Sequence, residues 1–85
     1  MLRFNVVYLA RLRESLGRGN EQIELPDAST LATLVETLRG RGGAWARELA
    51  AGRAVRFAIN QEMTNSSAAL RDGDEVALFP PVTGG

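Results

Sequence analysis

The residues best suited to chemistry in this sequence are its last seven, Phe79-Pro80-Pro81-Val82-Thr83-Gly84-Gly85. The two prolines lack the N–H that a sheet ladder needs, so they turn the chain out of any preceding strand into a stiff, extended arm. Six extended residues, Pro80 to Gly85, reach about 20 Å, enough to thread a narrow channel in a partner. Gly84 and Gly85 carry no side chains, so the arm stays thin and a nucleotide can approach the terminal carboxyl from any direction. A free α-carboxyl group titrates at about 3.5, so it is ionised at neutral pH and is a poor electrophile. Using it requires activation by another protein, normally as an acyl adenylate. The candidate reactive group is therefore the carboxylate of Gly85, and the chain is expected to act as a substrate rather than a catalyst.

The rest of the composition supports that division of labour. There is no histidine, no cysteine and no lysine, since all ten cationic side chains are arginines. Those three residue types supply most of the groups that change protonation or attack carbon near neutral pH. Ser-His, Cys-His, Schiff-base and P-loop lysine chemistry are thereby excluded, and a zinc site would have to be built from carboxylates alone. No metal site is expected. The ten arginines balance ten acidic residues without a basic cluster, which argues against nucleic acid or an anionic membrane as a partner. No apolar run reaches membrane-spanning length, and the start MLRFNVVYLARLRES does not read as a signal peptide. The lack of cysteine rules out a disulfide scaffold and fits a reducing cytoplasm.

The elements that must position the arm follow from periodicity. Leu2 to Tyr8 alternates, with Leu2, Phe4, Val6 and Tyr8 on one parity, and predicts a half-buried first strand. Leu9 to Leu16 places Leu9, Leu12 and Leu16 at helical spacing before Gly17 and Gly19, which predicts a short helix. Gln22 to Leu25, closed by Pro26, reads as a brief second strand. Ser29 and Thr30 can cap a main helix whose stripe is Leu31, Leu34, Val35 and Leu38, ending at Gly40. A second short helix is expected over Ala44 to Ala51, burying Trp45 and Leu49. Ala54 to Ile59 alternates Val55, Phe57 and Ile59 against Arg56 and Ala58 and reads as a strand, with Asn60 opening a turn. Asp72-Gly73-Asp74 is a tight turn before the last strand, Glu75 to Phe79.

At 85 residues this is one domain, which buries only about 60 to 65% of its unfolded surface. The expected class is α+β, a roll in which the leucine stripe of one main helix lies across a mixed sheet of four to five strands, with one or two short helices. The first and last strands are expected side by side at the sheet centre. Residues 1–79 form the domain, and residues 80–85 the tail.

The ending DGDEVALFPPVTGG, Asp72 to Gly85, resembles the C-terminus of the molybdopterin synthase small-subunit family, the MoaD type. AINQ, Ala58 to Gln61, resembles that family's third-strand end, and ARLRESLG, Ala10 to Gly17, its post-strand helix. The middle, Gln22 to Arg53, matches in pattern only. The resemblance implies a ubiquitin-like beta-grasp fold and a sulfur carrier that is not an enzyme by itself. It implies that an E1-like adenylyltransferase uses ATP to adenylate the terminus, here Gly85, and that a sulfur-donating sulfurtransferase then converts it to a thiocarboxylate. The tail would enter the large subunit of the synthase, in a heterotetramer, and deliver sulfur to cyclic pyranopterin monophosphate. No cofactor is implied on the chain itself. Gly85 carries the reacting group, and Gly84, Thr83, Val82, Pro81, Pro80, Phe79, Met63 and Leu9 are the implied partner contacts.

Leu9, Met63 and Phe79 are apolar residues at positions the pattern does not bury easily, and they either form one exposed patch or finish the core. Asp72, Asp74 and Glu75 lack the spacing of a calcium loop and read as a solvated turn. The missing lysines either reflect an arginine-rich composition or deny an activated terminus an internal acceptor. Two other functions share the Gly-Gly ending: a thiamine-pathway-type sulfur carrier, and a ubiquitin-like modifier conjugated to lysines. The FPPVTGG arm and the chain length argue against the first.

Overall fold

The computed structural model describes residues 1–81; Val82, Thr83, Gly84 and Gly85, named above as tail contacts and reacting terminus, lie outside the described residues. The elements are β1 (Leu2–Tyr8), α1 (Arg11–Leu16), β2 (Asn20–Leu25), α2 (Leu31–Arg39), α3 (Gly43–Glu48), β3 (Arg56–Ile59), β4 (Glu62–Thr64) and β5 (Glu75–Phe79). The strands form one mixed sheet in the order β2-β1-β5-β3-β4. β1 and β5 pair in parallel, and the other neighbours are antiparallel. The two strands with the strongest apolar parity therefore occupy the centre, where both edges of each are paired.

The alternation of β1 drives Phe4, Val6 and Tyr8 into the core, and Val76 and Leu78 join them from β5. Above this face lies α2. Its start is fixed by Thr30, whose hydroxyl accepts a hydrogen bond from the Thr33 amide at 3.4 Å, satisfying one of the free donors of the first turn. Leu31, Leu34 and Leu38 are completely buried, and each is worth about 1.5–3 kcal/mol relative to an exposed side chain. The 66–70 segment holds the start of α2 in place: Leu31 N donates to Ala68 O at 3.0 Å, and Leu70 N to Ser29 O at 3.0 Å. α1 interrupts the β1–β2 hairpin and ends at Gly17, which takes the left-handed conformation at φ 75°. No described helix is long and apolar enough to cross a membrane.

Several boundaries differ from expectation. α1 begins at Arg11 rather than Leu9, because Leu9 is still tied to the sheet through its N–H to Leu78 O at 3.1 Å. β2 starts at Asn20 because Val7 and Asn20 continue the β1 register. α3 runs from Gly43 to Glu48 rather than from Ala44 to Ala51, and β3 starts at Arg56 rather than Ala54. The polar run after Gln61 contains β4, an edge strand closed by a two-residue turn in which Asn60 and Gln61 both have positive φ, 50° and 71°; that is the backbone that matches strand twist in a tight hairpin. Trp45 is half-buried, edge-on to Tyr8 with ring centroids 5.3 Å apart and with the Arg41 guanidinium 4.4 Å above its ring.

Asp74 corrects the reading of a solvated acidic turn. It is buried, and its carboxylate accepts from Arg71 N at 2.8 Å and from Asn60 Nδ2 at 3.0 Å. Among the described residues there is no buried side-chain nitrogen or oxygen without a partner.

Candidate functional site

The site is built on the sheet face that the helices leave uncovered. Because side chains alternate along a strand, the residues between the core positions of β1 and β5 project to this second face. The register then fixes which of them meet. Val7 is the partner of Ala77, Ala77 of Ala58, and Ala58 of Met63. One apolar row thus crosses β1, β5, β3 and β4. Met63 is 63% exposed at its edge, Val7 and Ala77 are half-buried, and Ala58 at 7% is the best covered. The next step along β5 is Phe79, half-buried and paired with Arg56, and beside it lies Leu9, 41% exposed.

Of the expected contacts, Leu9, Phe79 and Met63 fall on this one face, and Leu9 and Met63 are exposed rather than part of the core. Pro80 and Pro81, also half-buried, follow at once as the root of the tail. Val7, Ala58 and Ala77 were missed. Their signal was present: Val7 and Ala77 are apolar residues on the polar parity of their strands. The other end of the same face is polar, with Arg3, Asn5 and Glu75.

A clasp at that polar end fixes the register. Arg3 N donates to Asp72 Oδ1 at 2.8 Å, Gly73 N to Arg3 O at 2.8 Å and Asn5 N to Asp74 O at 3.0 Å. Asn60 N donates to Glu75 O at 2.8 Å and Glu75 N returns a bond to Asn60 Oδ1 at 3.0 Å. Gly73, at φ 84°, supplies the positive φ that the turn demands. A slip of one residue would send the apolar row to the wrong face, so this clasp positions both patch and tail root.

Two carboxylates, half-buried Glu21 and buried Glu48, brace the frame. Glu21 accepts from the Tyr8 hydroxyl at 2.7 Å and from both terminal nitrogens of Arg41, at 2.8 and 3.0 Å, with Arg18 at 3.0 Å. Burial pushes its carboxyl up, but the Arg41 and Tyr8 hydrogen bonds and the two arginine charges outweigh burial and hold it below the ordinary carboxylate range. The Tyr8 hydroxyl is raised well above its usual value, chiefly by burial and then by the Glu21 carboxylate, so it stays a donor. Glu48, 6% exposed, meets Arg53 at 3.0 Å and Arg11 at 3.7 Å. Burial again pushes upward, and Arg53 and Arg11 more than reverse it.

Among the described residues no group of three or more His, Cys, Asp and Glu could hold a metal ion, and both depressed carboxylates are saturated by arginines. What the arrangement offers is an uncovered apolar face that leads directly into Pro80 and Pro81.

The sequence pattern of the ThiS family matches residues 6–85. The chain is 41% identical over 81 residues to the molybdopterin synthase sulfur carrier subunit of Haemophilus influenzae, covering 95% of this chain and 98% of that one. Among solved structures, it is similar to the protein–protein complex of subunits 1 and 2 of molybdopterin-converting factor from Helicobacter pylori, with a TM-score of 0.68, 25% identity, and coverage of 99% of this chain and 100% of that one. The fold is also that of small archaeal modifier protein 1 from Haloferax volcanii, with a TM-score of 0.80, 24% identity, and coverage of 96% and 100%.

Proposed function

Because the chain belongs to the ThiS family, we propose that it is the sulfur carrier subunit of a molybdopterin synthase, with Gly85 as the residue that carries the sulfur. The observation that carries this reading is the apolar row Val7–Ala77–Ala58–Met63 on an uncovered sheet face, leading through Phe79 into Pro80 and Pro81. A relative matched over 98% of its length bears the sulfur carrier name, and a similar structure is a chain in a complex of subunits 1 and 2 of molybdopterin-converting factor.

In this reading the face docks on two partners in turn. An E1-like adenylyltransferase binds it first and joins the Gly85 carboxylate to the α-phosphate of ATP, releasing pyrophosphate. The acyl adenylate has a good leaving group, AMP, which the outer sulfur of a sulfurtransferase persulfide displaces to give an acyl disulfide; a second thiol then attacks the enzyme-side sulfur, forming a disulfide and releasing the thiocarboxylate. The large synthase subunit then binds the same face in a heterotetramer, and the tail presents its sulfur to cyclic pyranopterin monophosphate. The chain's own residues do two things in these steps: the face sets the docking geometry, and the thin tail delivers the terminus. ATP and the catalytic groups belong to the partners, and the chain holds no cofactor.

Intact mass after incubation with ATP, a sulfur donor and the cognate adenylyltransferase tests this. A gain of about 16 Da, one oxygen replaced by sulfur, is expected. Deleting Gly85, or adding a residue after it, should abolish both the mass gain and molybdopterin formation. Heavier conjugates on lysines of other proteins would instead mark a ubiquitin-like modifier. Sulfur transfer to a thiazole precursor would mark a thiamine-pathway carrier.

A further inference from the structure

Arginines that are scattered along the sequence are gathered by the fold. Residues 10–19 and 40–53 hold Arg11, Arg13, Arg18, Arg41, Arg47 and Arg53 against only Glu14 and Glu48. These segments are α1, α3 and the loops beside them, and α1 packs on α3. Glu48, buried on α3, draws in three guanidinium groups: Arg53 at 3.0 Å, Arg11 at 3.7 Å and Arg47 at 4.0 Å. Glu21 draws in Arg41 at 2.8 Å and Arg18 at 3.0 Å, and Arg41 also lies over Trp45 of α3. Two carboxylates thus hold five arginines, and a surplus of positive charge remains.

The fold does not need that surplus. Arg53 already gives Glu48 a hydrogen-bonded cation. Arg11 and Arg47 stand at ion-pair distance only, and their side chains stay 56% and 65% exposed. A guanidinium carries five N–H donors and cannot shed its charge in a protein. Three of them around one carboxylate repel one another, so the outer two add little to stability, while most of their donors face solvent.

The cluster stands beside the tail root. Arg11 closely follows Leu9, whose N–H is tied to Leu78 O, and Arg53 closely precedes Arg56, the ladder partner of Phe79. The opposite end of β1 and β5 is acidic. Glu24, Asp72, Asp74 and Glu75 lie against Arg3 and Asn5 there, and Asp27 against the amino terminus, with Arg3 and Arg71 as the cationic side chains. A formal net charge of zero is therefore separated along the axis on which the tail leaves. A molecule with that polarity turns its tail end toward a negative surface before contact is made.

We infer that the arginine cluster of α1 and α3 is a second docking surface, which fits an acidic protein surface at the mouth of the channel that takes up the tail. This rests on the sulfur carrier reading, which makes the large synthase subunit the owner of that channel. The open sheet face supplies apolar contact, and the cluster orients the approach. Its effect is on the rate of association, and salt removes it. The position beside the tail root favours a protein that also takes up the tail over a nucleic acid, which has no use for it.

The experiment is stopped-flow association of the full chain with the cognate large subunit at about 0.1 M and about 1 M salt, where charges are screened over about 10 Å and about 3 Å. Wild-type association should be at least about tenfold faster at the lower salt. Arg47→Gln should slow it about threefold there, and Arg11→Gln with Arg47→Gln about tenfold, with dissociation and the high-salt rate nearly unchanged. Glutamine keeps the side-chain stem and Arg53 keeps Glu48 paired, so these variants should melt close to wild type. Arg71→Gln, which removes the same charge from the acidic end, should leave the rate within about 1.5-fold. Wild-type rates that are equal at the two salts overturn the inference without any variant. An equal loss in Arg71→Gln overturns it in favour of net charge, and a loss that persists at about 1 M salt overturns it in favour of a structural effect. Retention of wild type but not Arg47→Gln on single-stranded DNA, together with salt-independent association with the large subunit, assigns the cluster to a polyanion and also overturns it. All these outcomes leave the carrier reading intact; a wild-type chain that does not bind the large subunit at all defeats that reading, and this inference with it.

Discussion

Substituting Ala77 with aspartate tests whether the open face is the docking surface. Ala77 lies at the centre of the row, between Val7 on β1 and Ala58 on β3, and is half-buried even in the free chain. The nearest cation along the ladder is Arg56, which is the partner of Phe79 and therefore diagonal to position 77. Diagonal neighbours are about 7–8 Å apart, a span that only the long arginine can bridge. Any complex that covers the row must therefore bury the charge, either unpaired or in a pair whose two ions are both desolvated, at a cost of several kcal/mol. Taking about 3 kcal/mol as the lower bound, affinity should fall by at least about 100-fold. In the free chain the side chain keeps some contact with water, so folding should lose only about 1 kcal/mol of strand preference, or about 4–8 °C in midpoint. Titration calorimetry with the large subunit and a thermal melt of each variant measure the two quantities. Ala77→Asp chains that remain folded and bind within threefold of wild type would refute the assignment of this face.

Three further outcomes follow from the same coordinates. Glu21 and Glu48 both have folded values below the ordinary carboxylate range, so the stability they confer is present above about pH 4.3, the unfolded value, and is lost as pH falls through the folded values; melts between pH 7 and pH 2.5 should show that loss. Glu48→Gln removes the charge that gathers Arg53 and Arg11, so it should cost about 1–2 kcal/mol at pH 7 and flatten the acid limb of the stability profile, which the same melts read. Asp74→Ala deprives Arg71 N and Asn60 Nδ2 of their acceptor, and denaturant unfolding should show a loss of about 1–3 kcal/mol.

The parts of the fold that were legible in the sequence are those whose stability comes from one-sided burial. The stripe Leu31, Leu34, Leu38 and the alternation of Phe4, Val6 and Tyr8 name their own faces, and all six are buried. β4 was not legible, because an edge strand of three residues carries only one apolar side chain, Met63, and that one faces outward. Asp74 read as solvated because a carboxylate in a turn is usually exposed; its burial depends on Asn60, fourteen positions away. At the site, Leu9, Met63 and Phe79 stood out because their apolar character conflicted with their surroundings. Val7 and Ala77 also break the polar parity of their strands, but with Ala58 they mark no surface until the register sets them in one row with Met63.

That register also decides where the tail begins. Parallel strands end on the same side of a sheet, so the pairing of Tyr8 with Leu78 makes Leu9 and Phe79 leave β1 and β5 together. Had β5 run antiparallel to β1, its end would have met the polar end of the face, beside Arg3 and Asn5, with the apolar row behind it. Apolar row and tail root are contiguous only because the chain's first and last strands point the same way. The clasp of Asp72, Gly73 and Asp74 on Arg3 and Asn5 enforces that alignment from the opposite edge. Under the proposed function, a carrier gripped by successive partners needs this contiguity. On that argument the polar clasp, at the opposite end of β1 and β5 from the tail root, belongs to the working part of the molecule as much as the apolar row does.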